Sequence, residues 1–354
     1  MTTLPTPCVH AIASLLLALS AALAGPAHAG MAVTELAGLA GDRPITVFHP
    51  TAAADEPTRR GPFMLALSPG GEPRAGNGRL VVLSHGSGGN PWVHTDLARA
   101  LVQAGFVVAV PEHAGDSSRD PSAPGPESWK RRPAEVSRAI DAIAADARLA
   151  PLLDLDRVGV FGGSAGGHTA LTFAGGTWSP ARFRKHCEAH IADDFSSCAG
   201  FTTRLRGNLL DGLKRWVALA VIRLRFGDDT GYNHDDPRVQ AAVASVPFAA
   251  DFDMATLARP RIPLGLVTAG LDVNQVPRFH SSAVLDACQS RCTHVAHLAG
   301  ASHGAMLSPM PPLHLQDDLQ IALLGDPPGF DRAVLPEVDA RVVRFFLQHL
   351  QPLR

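Results

Sequence analysis

Three side chains in the sequence have the types and the order needed for nucleophilic catalysis by a hydroxyl group. Ser164 lies at the centre of residues 162–166, Gly-Gly-Ser-Ala-Gly, and Asp272 and His303 follow it along the chain. A serine hydroxyl is a weak nucleophile until a base takes its proton and an acid orients that base. A serine, an acidic residue and a histidine in this order therefore predict a catalytic triad.

The residues around Ser164 predict a sharp turn between a strand and a helix. An apolar run over 158–161 precedes the turn, and residues 168–174 can continue as a helix. Gly162 and Gly166 leave room for a tight turn that pushes the serine hydroxyl clear of the sheet. The pattern also fits a glycine-rich turn with an incidental serine, but the flanking strand and helix favour a nucleophile.

The acid of the triad is expected just beyond the second-to-last strand. That strand is predicted over 264–268, and Asp272 is the first carboxylate after it. Asp272 also fits the cap of a helix predicted over 275–287. Asp251 and Asp253 follow the preceding strand and are alternative candidates for the acid.

The base is expected in the loop beyond the last strand of the sheet. His303 lies in that loop, after a strand predicted over 294–298, and small residues flank it. His294 and His297 are alternatives, but they lie within the strand, from which reach toward Ser164 is poorer. The loop position therefore favours His303 as the general base.

Acyl transfer also needs backbone N–H donors for the oxygen that becomes negatively charged. One predicted donor is the amide of Ala165, directly after Ser164, and the other is the amide of Ser87. Ser87 belongs to residues 85–89, His-Gly-Ser-Gly-Gly, which follow a strand predicted over 80–84. These glycines also fit a plain turn, whereas a P-loop is excluded because the required lysine is missing.

The predicted elements alternate between strands and helices. Further strands are predicted over 44–49, 63–67, 106–110 and 239–246, and further helices over 92–103, 133–149 and 337–350. This alternation predicts the α/β class, with a mostly parallel central sheet and helices on both faces. The cluster 129–132, Trp-Lys-Arg-Arg, is interpreted as a solvated loop before a helix, although it could instead bind an acidic group.

Residues 177–236 interrupt the alternation. They contain two cysteines and an apolar, basic run over 209–226. The segment fits a cap inserted over the carboxyl edge of the sheet, and helices packed away from the site are the alternative.

The composition and net charge of the chain limit the class of protein and the partners that it can bind. The 354 residues are 46% hydrophobic and 18% charged, which is typical of a globular chain with a large core. The formal net charge of −2 gives no electrostatic basis for binding nucleic acid or an anionic membrane. No Cys-x-x-Cys pair is present to suggest a zinc site, so no metal is expected.

Residues 1–29 predict a secretory signal peptide. Residues 11–25 are almost wholly apolar, Pro26 interrupts them, and 27–29, Ala-His-Ala, have the form of a cleavage site. The residues before this run include no Lys or Arg, so an uncleaved anchor or a mis-assigned start codon are alternatives. A stable membrane span is not expected, because the run is shorter than the roughly 20 residues that a span requires. We therefore expect export to the periplasm or beyond, with 30–354 as the mature catalytic domain.

Four cysteines remain after the predicted cleavage site. An even number in an oxidising compartment permits two disulfides. Proximity along the chain suggests Cys187–Cys198 and Cys288–Cys292, and four unpaired thiols are the alternative.

These motifs resemble those of the α/β-hydrolases, and within them the bacterial dienelactone-hydrolase-like proteins related to platelet-activating-factor acetylhydrolases. The stretches that carry the resemblance are 83–89, 132–141, 162–167, 236–243, 270–272 and 302–304. The resemblance implies an α/β-hydrolase fold, ester hydrolysis and no cofactor. A dienelactone hydrolase has a cysteine nucleophile where this chain has Ser164, which argues against a dienelactone substrate.

The sequence as a whole predicts an exported serine hydrolase that cleaves small-molecule or lipid carboxylic esters through an acyl-enzyme. An amidase or peptidase with the same triad is an alternative. A non-catalytic binding protein on the same scaffold is another, and the intact triad argues against it.

Overall fold

The computed structural model describes residues 30–39 and 41–350, and the predicted signal peptide lies outside them. The strands are β1 Gly30–Leu36, β2 Ile45–Thr51, β3 Glu56–Arg60, β4 Phe63–Leu67, β5 Leu80–Ser84, β6 Val107–Pro111, β7 Val158–Gly163, β8 Val239–Ser245, β9 Leu264–Ala269 and β10 Thr293–Leu298. The α-helices are α1 Thr95–Gln103, α2 Pro126–Ala145, α3 Ala165–Phe173, α4 Pro180–His190, α5 Phe195–Cys198, α6 Asp211–Arg225, α7 Met254–Leu257, α8 Ser281–Cys288, α9 Asp318–Leu324 and α10 Leu335–His349. None of the described helices is both long and apolar enough to cross a membrane.

The central sheet has eight strands in the order β1-β2-β6-β5-β7-β8-β9-β10. Strands β5 to β10 pair in parallel, whereas β1 and β2 are antiparallel to their neighbours at one edge. β3 and β4 form a separate two-stranded hairpin. The predicted fold class, a mostly parallel sheet between helices, is confirmed. The carboxyl ends of the parallel strands lie at one edge, where such sheets place their functional loops.

The hydrophobic core has two layers, one on each face of the sheet. Side chains alternate across a strand, so Leu80 and Val82 of β5 point to one face, while Val81 and Leu83 point to the other. The first layer includes apolar residues of α2 and α3, and the second includes those of α1 and α10. Burial on both faces explains why the parallel strands are continuous apolar runs in the sequence.

The helix predicted over 133–149 begins earlier and ends earlier, at Pro126–Ala145. Pro126 occupies the first turn, where its missing N–H costs nothing, and Gly125 before it has φ 96°. Pro133 lies inside the helix, and the helix continues through it because Trp129 and Val136 bury the same face. Residues 129–132 are therefore helical, and their interpretation as a solvated loop is wrong.

The segment 177–236 contains α4, α5 and α6 and lies between α3 and β8 in the chain. A disulfide joins Cys187 of α4 to Cys198 of α5. A second disulfide joins Cys288, at the end of α8, to Cys292. Both predicted cysteine pairs are thus present in the structure.

Candidate active site

Ser164 lies at the turn between β7 and α3. Its backbone has φ 57° and ψ −116°, a strained conformation for a residue with a side chain. A Cβ atom at Gly162 would collide with the carbonyl oxygen of Gly166, and one at Gly166 would collide with that of Ser84. The two glycines are therefore required by the tightness of the turn, and the Ser164 side chain is left partly exposed.

A continuous hydrogen-bond chain connects Asp272, His303 and Ser164. His303 Nδ1 lies 2.7 Å from Asp272 Oδ2, and His303 Nε2 lies 3.0 Å from Ser164 Oγ. With the Nδ1 proton donated to the carboxylate, Nε2 is free to accept the serine proton. The structure thus brings the three predicted residues together from the loops after β7, β9 and β10.

Asp272 is itself held in place by its own loop. Its Oδ1 accepts hydrogen bonds from the backbone N–H groups of Asn274 and Gln275, each at 2.9 Å. Only Oδ2 is directed at the imidazole of His303, and Asp272 and His303 are 4% and 7% exposed. Burial of this kind excludes water and fixes the orientation of the imidazole.

The alternative acids and bases have other partners. Asp251 is fully buried and lies 3.1 Å from His168 Nε2, and Asp253 caps α7 by accepting the Ala255 N–H. The rings of His294 and His297 both contact the Thr268 hydroxyl, at 2.9 and 2.8 Å. The geometry therefore favours Asp272 and His303 over the four alternatives.

Gln275 is a fourth polar side chain at the nucleophile, and no motif in the sequence indicates it. Its Nε2 donates a hydrogen bond to Ser164 Oγ at 3.1 Å, and the residue is only 2% exposed. A donor on this side leaves His303 as the acceptor for the Ser164 proton. An amide three residues after the acid has no distinctive sequence pattern, because loop curvature brings it to the serine.

The loop 85–89 lies directly beside Ser164. A Cβ atom at Gly86 would be 3.4 Å from the Ser164 Cβ, an ordinary van der Waals distance, so the loop backbone lies against the serine. The loop turns back on itself, with the Gly89 N–H donating to the Gly86 carbonyl at 3.0 Å. The Ser87 hydroxyl and the Gly88 N–H both donate to Asp116 Oδ1. One buried carboxylate therefore sets the conformation of the loop that carries the predicted Ser87 amide donor.

Arg132 contacts both the Asp116 carboxylate and the loop 85–89. Arg132 is fully buried, forms an ion pair with Asp116 Oδ2 at 2.8 Å and donates to the His85 carbonyl at 2.5 Å. Burial alone would raise the pKa of Asp116, but the Arg132 guanidinium and the hydroxyls of Ser87 and Ser128 hold that pKa below its ordinary value. The helical spacing of Trp129, Arg132 and Val136 places Arg132 on the buried face of α2. This spacing is visible in the sequence, although the charge of Arg132 suggests an exposed side chain.

A second serine, histidine and carboxylate are connected in the core below this loop. Ser84 Oγ lies 2.8 Å from His113 Nε2, and His113 Nδ1 lies 2.6 Å from Glu135 Oε2. Burial, and next the Arg132 charge, keep the pKa of His113 well below its ordinary value, so the ring is neutral at neutral pH. Ser84 is fully buried, whereas Ser164 is partly exposed, so solvent access distinguishes the two serines.

One cluster of potential metal ligands occurs in the described residues, formed by His186, Asp194 and Cys198. Cys198 is bonded to Cys187, so its sulfur is not a thiolate ligand. Asp194 Oδ2 already lies 2.8 Å from His186 Nε2 and 3.0 Å from His280 Nε2. The Asp194 carboxylate thus links α4 to the residue before α8 through hydrogen bonds with two histidines.

The segment 177–236 contacts the site through Phe201. The ring of Phe201 lies 5.9 Å from the ring of His303. A cavity of about 510 Å³ begins at the next residue, Thr202, and has Arg204, Arg206 and Asp317 among its lining residues. Ser164, Asp272 and His303 are not among the residues that line this cavity.

No protein-family model matches the sequence, and no curated protein matches it. Among solved structures, a ferulic acid esterase from Streptomyces cinnamoneus is similar, with a TM-score of 0.55 and 16% sequence identity. The similarity covers 93% of each chain. Together with the strand order, it establishes that this chain has an α/β-hydrolase fold. The narrower resemblance to dienelactone-hydrolase-like proteins stays a prediction.

Proposed function

We propose that the protein is a serine hydrolase that cleaves carboxylic esters. The observation that carries the proposal is the hydrogen-bond chain from Asp272 through His303 to Ser164, which ends on a serine at a strained turn. A nucleophile, a base and an orienting acid in this geometry are the requirements for acyl transfer. That the fold is shared with an esterase supports ester substrates.

In the proposed reaction, Ser164 Oγ attacks the acyl carbon while His303 Nε2 accepts its proton. The N–H groups of Ala165 and Ser87 stabilise the negative oxygen of the tetrahedral intermediate. His303 then donates the proton to the leaving alcohol, and an acyl-enzyme remains on Ser164. A water molecule then attacks the acyl carbon while His303 takes one of its protons. His303 returns this proton to Ser164 Oγ as the ester bond breaks, and the acid leaves.

The position of the loop 85–89 supports Ser87 as one of the two oxyanion donors. Gly86 lies against Ser164, and Asp116 and Arg132 fix the turn that follows. A donor held in place before the substrate binds stabilises developing charge without reorganisation. Arg132 and Asp116 are therefore positioning residues in this proposal, since they act through the loop.

We further propose that the protein is exported. Two disulfides in the structure fit an oxidising compartment, and the sequence pattern over 1–29 fits a signal peptide.

The test of the proposed function compares p-nitrophenyl esters of rising acyl length with the corresponding anilides. We expect wild-type protein to hydrolyse the esters much faster, and Ser164→Ala to reduce kcat/KM by about a thousandfold or more. A matching far-UV circular dichroism spectrum serves as the folding control. Hydrolysis of the anilides at a comparable rate would instead favour an amidase, and a variant with more than about a tenth of wild-type activity would exclude Ser164 as the nucleophile.

A further inference from the structure

An apolar stripe is exposed along α6. Leu213, Val217, Val221 and Leu224 recur at helical spacing and are 57%, 45%, 44% and 86% exposed. Trp216 lies beside them and is 67% exposed. The opposite face of the helix packs on the core through Leu219 and Ile222. An amphipathic helix normally buries its apolar stripe, so a contiguous apolar surface left in water indicates a binding surface.

The same region concentrates positive charge. Residues 200–226 contain six basic side chains and one acidic side chain, a net charge of +5. The whole chain has a net charge of −2, which leaves −7 for the remainder. The whole-chain charge therefore conceals a strongly basic segment, and the exclusion of anionic surfaces based on that charge does not hold here.

Ion pairs neutralise only part of this charge. Glu188 pairs with Arg223, and Asp211 pairs with Lys214. Within the described residues, four further arginines of the segment form no ion pair: Arg204, Arg206, Arg215 and Arg225. Arg204 and Arg206 precede the helix and are exposed, and the exposed Arg225 is its last residue.

We propose that α6 docks the protein on an anionic lipid surface. A helix with apolar side chains on one side and basic side chains around them lies in the interface of such a surface, where the apolar atoms leave water and the cations meet lipid phosphates. The apolar stripe and the positive charge together favour an anionic lipid surface over an apolar protein partner, because such a partner would not require a net charge of +5. The chain approaches the His303 ring at Phe201, so docking through α6 would place the surface on the segment that borders the site.

The test uses the exported protein with Ser164→Ala, so that binding is measured without catalysis. Vesicles of equal parts phosphatidylglycerol and phosphatidylcholine are added at low salt, and tryptophan emission and cosedimentation are recorded. Trp92, Trp129 and Trp178 are at most 8% exposed, so a change in emission reports Trp216. We expect a blue shift and cosedimentation that weaken with added salt and with pure phosphatidylcholine.

Two matched variants identify the binding surface. The triple variant Leu213→Ser, Val217→Ser, Leu224→Ser should bind vesicles at least about tenfold more weakly, because three apolar side chains no longer enter the lipid. The control variant Met64→Ser, Val334→Ser changes apolar residues that are 61% and 43% exposed outside the stripe, and it should bind like the parent. Equal binding by the triple variant, or no blue shift with anionic vesicles, would overturn the proposal. A shift without vesicles that grows with protein concentration would assign the stripe to a second copy and would overturn it too.

Discussion

At the scale of single residues, the site depends on which atoms of each side chain are already engaged. Asp272 offers one oxygen to two backbone N–H groups and the other to His303, so its carboxylate cannot turn without losing all three hydrogen bonds. Asp251, by contrast, offers its Oδ2 to the buried His168. The difference in partners leads to opposite expectations for the same substitution at the two positions.

Asp272→Asn should lower kcat by about a thousandfold or more while leaving stability nearly unchanged, because an amide cannot stabilise the charged imidazole. Asp251→Asn should keep most of the activity and lose stability instead, since its hydrogen bond to His168 is fully buried. Steady-state kinetics on one soluble ester and urea unfolding of both variants measure this. An active Asp272→Asn beside an inactive Asp251→Asn would move the acid to the earlier strand.

The proximity of Ser164, Asp272 and His303 could be predicted from the sequence because each follows a strand that is recognisable as an apolar run. Gln275 and Arg132 could not be predicted in the same way. Gln275 reaches Ser164 through the curvature of its loop, and Arg132 is a charge buried by a partner 16 residues earlier in the chain. Helical spacing places Arg132 on the buried face of α2, but its pairing with Asp116 and the contact of Gln275 with Ser164 depend on the tertiary structure.

At the scale of elements, α10 packs on α1 and buries Asp339, which lies near the exposed Asp96 of α1. Asp339 is 5% exposed, and burial together with the nearby Asp96 carboxylate raises the pKa of Asp339 to about 7. Its ordinary value is 3.8. Between pH 3.8 and about pH 7, Asp339 is protonated in the folded protein and ionised in the unfolded chain. Raising the pH through this range therefore lowers the free energy of unfolding by up to about 1.4 kcal/mol per pH unit.

Asp339→Asn should remove this penalty because the amide stays neutral at every pH. We expect the free energy of unfolding of the variant to exceed that of the wild type by roughly 2–4 kcal/mol at pH 8, where the penalty is complete. The difference should shrink toward zero near pH 4. Urea unfolding of both proteins at the two pH values measures it, and a difference independent of pH would contradict the assignment.

The boundaries of elements were the least predictable part of the fold. The main parallel strands are recognisable in the sequence as apolar runs, but β1 and the exposed β3 were not predicted. Helix α2 begins at Pro126, because its buried face continues on both sides of Pro133. The sequence-based prediction began the helix at Pro133, because proline is common in the first turn of a helix and unfavourable in its interior.

At the scale of the whole molecule, two disulfides close short loops outside the site. Cys187–Cys198 joins α4 to α5 inside the segment 177–236, and Cys288–Cys292 closes the end of α8. Neither disulfide includes a residue of the hydrogen-bond chain, so their expected contribution is to stability and to the ordering of that segment.

Thiol titration of the denatured, unreduced exported protein should find fewer than one free thiol per chain. Reduction should then release four thiols from the mature chain and lower the thermal midpoint, because the unfolded state gains loop freedom. Titration before and after reduction, with a melting curve for each sample, measures both effects. Four free thiols without reduction would show that neither pair forms outside the reducing cytoplasm.

The most direct test of the central claim is labelling with a fluorophosphonate, followed by peptide mapping of the modified residue. A serine activated by His303 and Asp272 should take up about one label per chain, with the adduct on Ser164 and none on the buried Ser84. Labelling should disappear in Ser164→Ala and fall sharply in His303→Ala, because the hydroxyl then lacks its base. An adduct on any other serine, or equal labelling of the Ser164→Ala variant, would contradict the account.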